Sequence, residues 1–102
     1  MRISEFEQKC ILETFNTLST AKSKIYLFGS RLDDMKKGGD IDLLIVFVNN
    51  EFKFNFKHLD FIVELKKKIG ERKIDVTLAA EEELTNDVFL MSVMDSAVEI
   101  IP

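Results

Sequence analysis

The chain has 102 residues but only one cysteine, one proline, four glycines and one histidine. Each scarcity removes a class of explanation. Cys10 alone excludes an intramolecular disulfide and a cysteine-based zinc site, and suits a reducing compartment. So little Pro and Gly leaves no flexible linker and no low-complexity tail. There is no internal repeat. Apolar runs long enough to span a bilayer are missing; the longest, residues 43–48, follows two carboxylates and reads as a strand. Glu5 and Glu7 stand close behind Arg2, unlike the basic and apolar start of a signal peptide, so a cytoplasmic location is expected. A net charge of −4 argues against a broad nucleic-acid surface, which needs a clustered basic face.

What is present suffices for one packed unit. Hydrophobic residues make up 46% of the chain, nine of them Phe, and 31% charge supplies a soluble surface. This size supports one core, so residues 1–102 are expected to form a single domain. Ser4 and Glu7 have capping-box spacing, and Ile3, Phe6, Cys10, Ile11, Thr14 and Leu18 recur at helical intervals, which predicts a helix over residues 5–20. Residues 24–28 form a short β-prone run stopped by Gly29. A short helix is expected from Ser30 to the Gly38-Gly39 pair. Residues 41–48 are apolar at nearly every position after Asp42, as in a central strand covered on both faces. Leu59, Ile62, Val63, Leu65 and Ile69 predict a second long helix over residues 55–70, with Gly70 as its stop. Residues 73–78 read as a third strand, and Glu81, Glu82 and Glu83 suit the first turn of a helix. Residues 88–101 fit either a helix or a helix followed by a short strand. Strands alternating with helices predict an α/β (α+β) fold, a small mixed sheet flanked by helices.

The chemistry concentrates on carboxylates. Asp40 and Asp42 open the clearest strand two positions apart, so they point to one face with backbones roughly 7 Å apart. Their reach allows both to bind one cation, or to bridge two ions about 3.5–4 Å apart. Asp75 holds a similar place in the third strand and joins the cluster if the strands are neighbours. Three acids so placed need a cation, and with His58 and Cys10 each alone, oxygen ligation points to magnesium or manganese. The second element is Phe28-Gly29-Ser30-Arg31. A strand ending in Gly-Ser at a helix start offers free N–H groups, a hydroxyl and a positive dipole end to a phosphate. Gly29 permits close backbone approach, and Arg31 adds charge for a triphosphate. A phosphate cradle followed by paired carboxylates is equipment for in-line phosphoryl or nucleotidyl transfer.

The stretch Leu27-Phe28-Gly29-Ser30-Arg31, then Gly38-Gly39-Asp40-Ile41-Asp42-Leu43-Leu44-Ile45-Val46, resembles the signature of the polymerase-beta-like nucleotidyltransferase superfamily. It is most similar to the small stand-alone members called minimal nucleotidyltransferases. The resemblance implies that fold, a triphosphate held by Gly29, Ser30 and Arg31, and magnesium bound by Asp40, Asp42 and Asp75. It further implies ATP as the nucleotide, a second metal ion, and a partner of the small helical HEPN type. Relatives of this kind act as antitoxins, transferring AMP to a tyrosine of the HEPN toxin. Two features depart from the pattern: the Gly-Ser to Asp-X-Asp connection is one residue shorter than usual, and Leu32-Asp33-Asp34 replaces the basic and glycine residues common there.

Other readings stay open. The chain could neutralise its partner by contact alone, or transfer a nucleotide to a small molecule such as an aminoglycoside. His58 is read as a surface residue, Cys10 as core, Lys66, Lys67 and Lys68 as a solvated helix face, and Tyr26 as packed in its strand. Phe52, Phe54 and Phe56 are either core or a partner-facing patch.

Overall fold

A computed structural model of the chain describes residues 3–19, 22–29 and 40–102. The helix expected between Ser30 and Gly39 lies outside them. Helix α1 spans Glu5–Leu18. Its start is fixed by the Ser4 hydroxyl, which accepts the Glu7 N–H at 3.0 Å, while the Glu7 carboxylate accepts the Ser4 N–H at 2.9 Å. The other oxygen of Glu7 accepts from Arg72, tying the helix start to the approach of a distant strand. Cys10, Ile11, Thr14 and Phe15 form the buried stripe. Thr14 satisfies its hydroxyl by donating to the Cys10 carbonyl at 2.8 Å. Phe6, expected on that stripe, is 61% exposed because the stripe runs through Cys10 and Ile11 instead.

The strands are β1 (Ser23–Phe28), β2 (Ile41–Phe47), β3 (Ile74–Ala80) and β4 (Val98–Glu99), in the order β3-β2-β1-β4. β1 runs antiparallel to β2 and β4, and β2 runs parallel to β3. The expected mixed sheet with flanking helices is therefore found. A parallel pair needs a crossover, and here it contains two helices, α2 (Asn50–Asn55) and α3 (His58–Ile69), where one was expected over residues 55–70. Asn49 starts α2 early by accepting the Phe52 N–H at 3.0 Å. The break falls at Phe56, whose buried ring lies between Phe47 and Phe61 at centroid distances of 5.3 and 6.0 Å. Burying that ring outweighs continuing the helix. Phe54 faces solvent, as do Leu59 and Val63, because the buried stripe of α3 is Phe61 and Leu65. His58 is exposed at the first position of α3. Lys66, Lys67 and Lys68 stand in the last turn of α3, where positive charge meets the negative end of the dipole, before Gly70 at φ +93°.

Side-chain alternation in β2 divides the core. Ile41, Leu43, Ile45 and Phe47 point to the face covered by α1 and α3, packing with Ile11, Phe15, Phe61 and Leu65. Leu44 and Val46 point to the other face, where they meet Ala79 and residues Leu90 and Val93 of helix α4 (Val88–Ser96). Asp42 belongs to this second face and is the one position of β2 that is not buried. The triple Glu segment forms a 3₁₀ helix, Glu81–Thr85, rather than the first turn of an α-helix; α4 begins later, at an Asp87 side chain that accepts the Leu90 N–H at 3.2 Å. Residues 88–101 thus take the helix-then-strand alternative.

Glu83 locks the 3₁₀ turn to the crossover. Its carboxylate accepts from Lys53 at 2.7 Å and from the Ala80 N–H at 2.8 Å. The Lys53 bond, aided by the Ala80 N–H, holds the Glu83 carboxyl below the usual range. A carboxyl with a lower folded than unfolded pKa contributes fully above its ordinary value of 4.5 and loses that contribution as the pH falls through the depressed folded value. Glu83→Ala is expected to lower the unfolding free energy by about 1 kcal/mol at neutral pH. Denaturant titrations of both proteins should show that gap closing as the pH drops below that of an ordinary carboxyl.

Candidate functional site

Three of the acids singled out in the sequence meet at one end of the second sheet face. Parallel pairing sets Asp42 directly opposite Asp75, and the neighbouring pair is Ile41 with Ile74. The Ile41 N–H donates to the Lys73 carbonyl at 2.9 Å, which pins the register one step before the acids. Asp40 immediately precedes β2 and shares the face of Asp42 by alternation. Its carboxylate lies 3.9 Å from Lys73 Nζ, and the Asp75 carboxylate lies 3.9 Å from the same nitrogen. Asp75 is the register partner of Asp42 and, of the neighbouring acids, acts on it most strongly. As the side chains stand, no three acidic, imidazole or thiol groups among the described residues close around a common point. The cluster is a register pair, Asp42 and Asp75, with Asp40 and Asp75 both 3.9 Å from the Lys73 ammonium.

Of the three acids, Asp42 is the one whose carboxyl is clearly shifted. Burial pushes its carboxyl above the usual range, and the charges of Asp75 and Asp40 push it in the same direction, while Lys73 opposes them. With a folded pKa above its unfolded one, Asp42 destabilises the fold as the pH rises through that folded value. A carboxylate held at such a cost is characteristic of a functional site.

Gly29 abuts this carboxylate. It follows Phe28, the partner of Asp42 across the β1–β2 pairing. Its φ is +77°, and a Cβ placed on it would lie 2.5 Å from Asp42 Oδ2. The backbone conformation therefore calls for glycine, and a Cβ there would push the Asp42 carboxylate aside. Ser30 and Arg31, the other residues of the expected phosphate cradle, lie outside the described residues. The structure thus brings Asp40, Asp42, Asp75 and Gly29 together. Sequence reasoning does not single out Lys73, although its spacing of two from Asp75 is the signal that places both on one face.

Two substitutions test this geometry without reference to activity. Gly29→Ala should lose on the order of 1–2 kcal/mol of stability, from left-handed backbone strain alone. Asp42→Asn should do the reverse in chelator at neutral pH, gaining on the order of 1 kcal/mol, or roughly 4–8 °C in Tm for a domain of this size. Thermal unfolding of both variants beside the parent checks the opposite signs.

The Nucleotidyltransferase domain family matches the chain over residues 9–100, from within α1 to just past β4. No curated protein matches it significantly. Among the described residues, no helix is long and apolar enough to cross a membrane. A match over so much of the chain, on a mixed sheet of the expected kind, places this protein in the nucleotidyltransferase domain family.

Proposed function

We propose that the chain is a minimal, magnesium-dependent nucleotidyltransferase that transfers AMP from ATP to a tyrosine hydroxyl of a small helical HEPN-type partner, and so acts as an antitoxin. The observation that carries the catalytic part is the registered Asp42–Asp75 pair, with Asp40 on the same face and Gly29 against Asp42. This donor set is all carboxylate oxygen, which fits magnesium or manganese and does not suit zinc. The strand register sets Asp42 and Asp75 side by side, with Asp40 just before the same strand as Asp42. Asp40, Asp42 and Asp75 would hold the cation. When bound, a divalent cation supplies charge neutralisation for a triphosphate and acidifies an attacking hydroxyl.

The chain's own residues then have separable tasks. Asp42, whose carboxyl burial and its acidic neighbours push up, would be held ionised by a bound cation. Asp75 is 51% exposed on the open face, where an acceptor hydroxyl can approach it. Gly29 keeps the backbone after β1 close to Asp42 and, with Ser30 and Arg31, is assigned to the triphosphate. An acceptor on another protein is supported by the outer side of α4, where Val88, Phe89 and Met91 are 81%, 57% and 48% exposed. That apolar surface also favours a second reading, in which the chain silences its partner by binding alone.

Incubation with the authentic partner and Mg-ATP, followed by intact mass measurement, should show AMP adducts on the partner. Asp42→Asn should reduce adduct formation at least about 100-fold, a loss typical of removing a metal-binding or transition-state-stabilising group. Partner left unmodified by the unaltered chain overturns transfer. Neutralisation that survives Asp40→Asn/Asp42→Asn favours the contact reading.

A further inference from the structure

The Lys73 side chain has a place that the fold does not need. It is 67% exposed, lies outside both apolar clusters, and reaches over the acids at the end of the sheet. Its backbone is nevertheless pinned there, since its carbonyl receives the Ile41 N–H between Asp40 and Asp42. Its Nζ is equally far, 3.9 Å, from an Asp40 oxygen and from an Asp75 oxygen. Those distances exceed a direct hydrogen bond, so the ammonium acts on both carboxylates as a point charge on a flexible stem. The two carboxylates flank it, one oxygen of each at that distance.

From this geometry we infer that Lys73 is a tethered counter-cation that competes with a divalent cation for the Asp40 and Asp75 carboxylates and sets the affinity of the site downward. The inference rests on the reading of the three acids as a cation site. A divalent ion drawn to these oxygens would face the ammonium at close range, and like charges at that separation repel, by an amount that solvent and salt screen at these exposures. Four methylenes and high exposure let the ammonium swing aside while its backbone stays in register. Cation entry therefore exchanges one counter-charge for another. The residue is a positioning and affinity-setting group, and no bond is made or broken by it.

The test is Mn2+ binding to the intact chain without nucleotide, followed by the electron paramagnetic resonance signal of free Mn2+. Lys73→Met keeps most of the aliphatic stem and removes the charge. It should bind Mn2+ roughly three- to tenfold more tightly than the parent, the size expected from two part-exposed ion pairs. That gain should shrink as salt is raised from about 0.05 to 0.5 M. Lys73→Arg, which keeps the charge, should stay within about twofold of the parent. Equal or weaker binding by Lys73→Met, with the parent binding normally, overturns the counter-cation role and leaves the metal site standing. Parent and Asp42→Asn binding Mn2+ alike overturns the metal site and this role with it.

Discussion

Everything at the functional end of this protein depends on the parallel register of β2 on β3. The Ile41 N–H bond to the Lys73 carbonyl starts that ladder, and each later pair follows from it. A slip of one residue would turn Asp42 toward the apolar face under α1 and α3, and would set Ile41 among the acids. Burial forbids that: Ile41, Leu43, Ile45 and Phe47 are all at or near zero exposure. The hydrophobic pattern of one strand therefore sets the position of a carboxylate on its opposite face.

The two faces of the sheet are treated unequally, and the inequality is what makes a site. One face is roofed by α1 and α3 along its length. The other is roofed by α4 over Leu44, Val46 and Ala79, leaving Asp42 and Asp75 beyond the helix. The 3₁₀ turn between β3 and α4 is held through Glu82 and Glu83 by Asn50 and Lys53, so α2 also anchors the start of that roof. The acids and Gly29 are thereby gathered at the β1 exit and the β2 and β3 entrances. Membership of the nucleotidyltransferase family agrees with this layout.

Local signals were read well where they are self-contained. The Ser4–Glu7 box needs only two side chains and a helix start, and it forms as its spacing implies. The bounds of β1 and β2 came within a residue because Gly29 and Asn49-Asn50 interrupt short apolar runs. Periodicity failed in the crossover. Of the expected stripe, Leu65 is buried and Ile62 and Ile69 pack against the core, but Leu59 and Val63 face solvent and Phe61 is buried in their stead, because the aromatic chain from Phe47 through Phe56 sets the rotation of α3. Spacing alone does not choose between two apolar stripes on one helix.

The amino-acid sequence by itself determined the shared face of Asp40 and Asp42, because alternation along a strand is a local property. It also determined that β2 is central, since a strand apolar on both sides must be covered twice. Only the tertiary structure decided that Asp75 is the direct partner of Asp42, that Gly29 fits against that carboxylate, and that Lys73 stands between Asp40 and Asp75. Apart from Lys73 beside Asp75, those are contacts between segments well separated along the chain. They depend on which strands pair and in which direction, and that is settled by burying the whole core together.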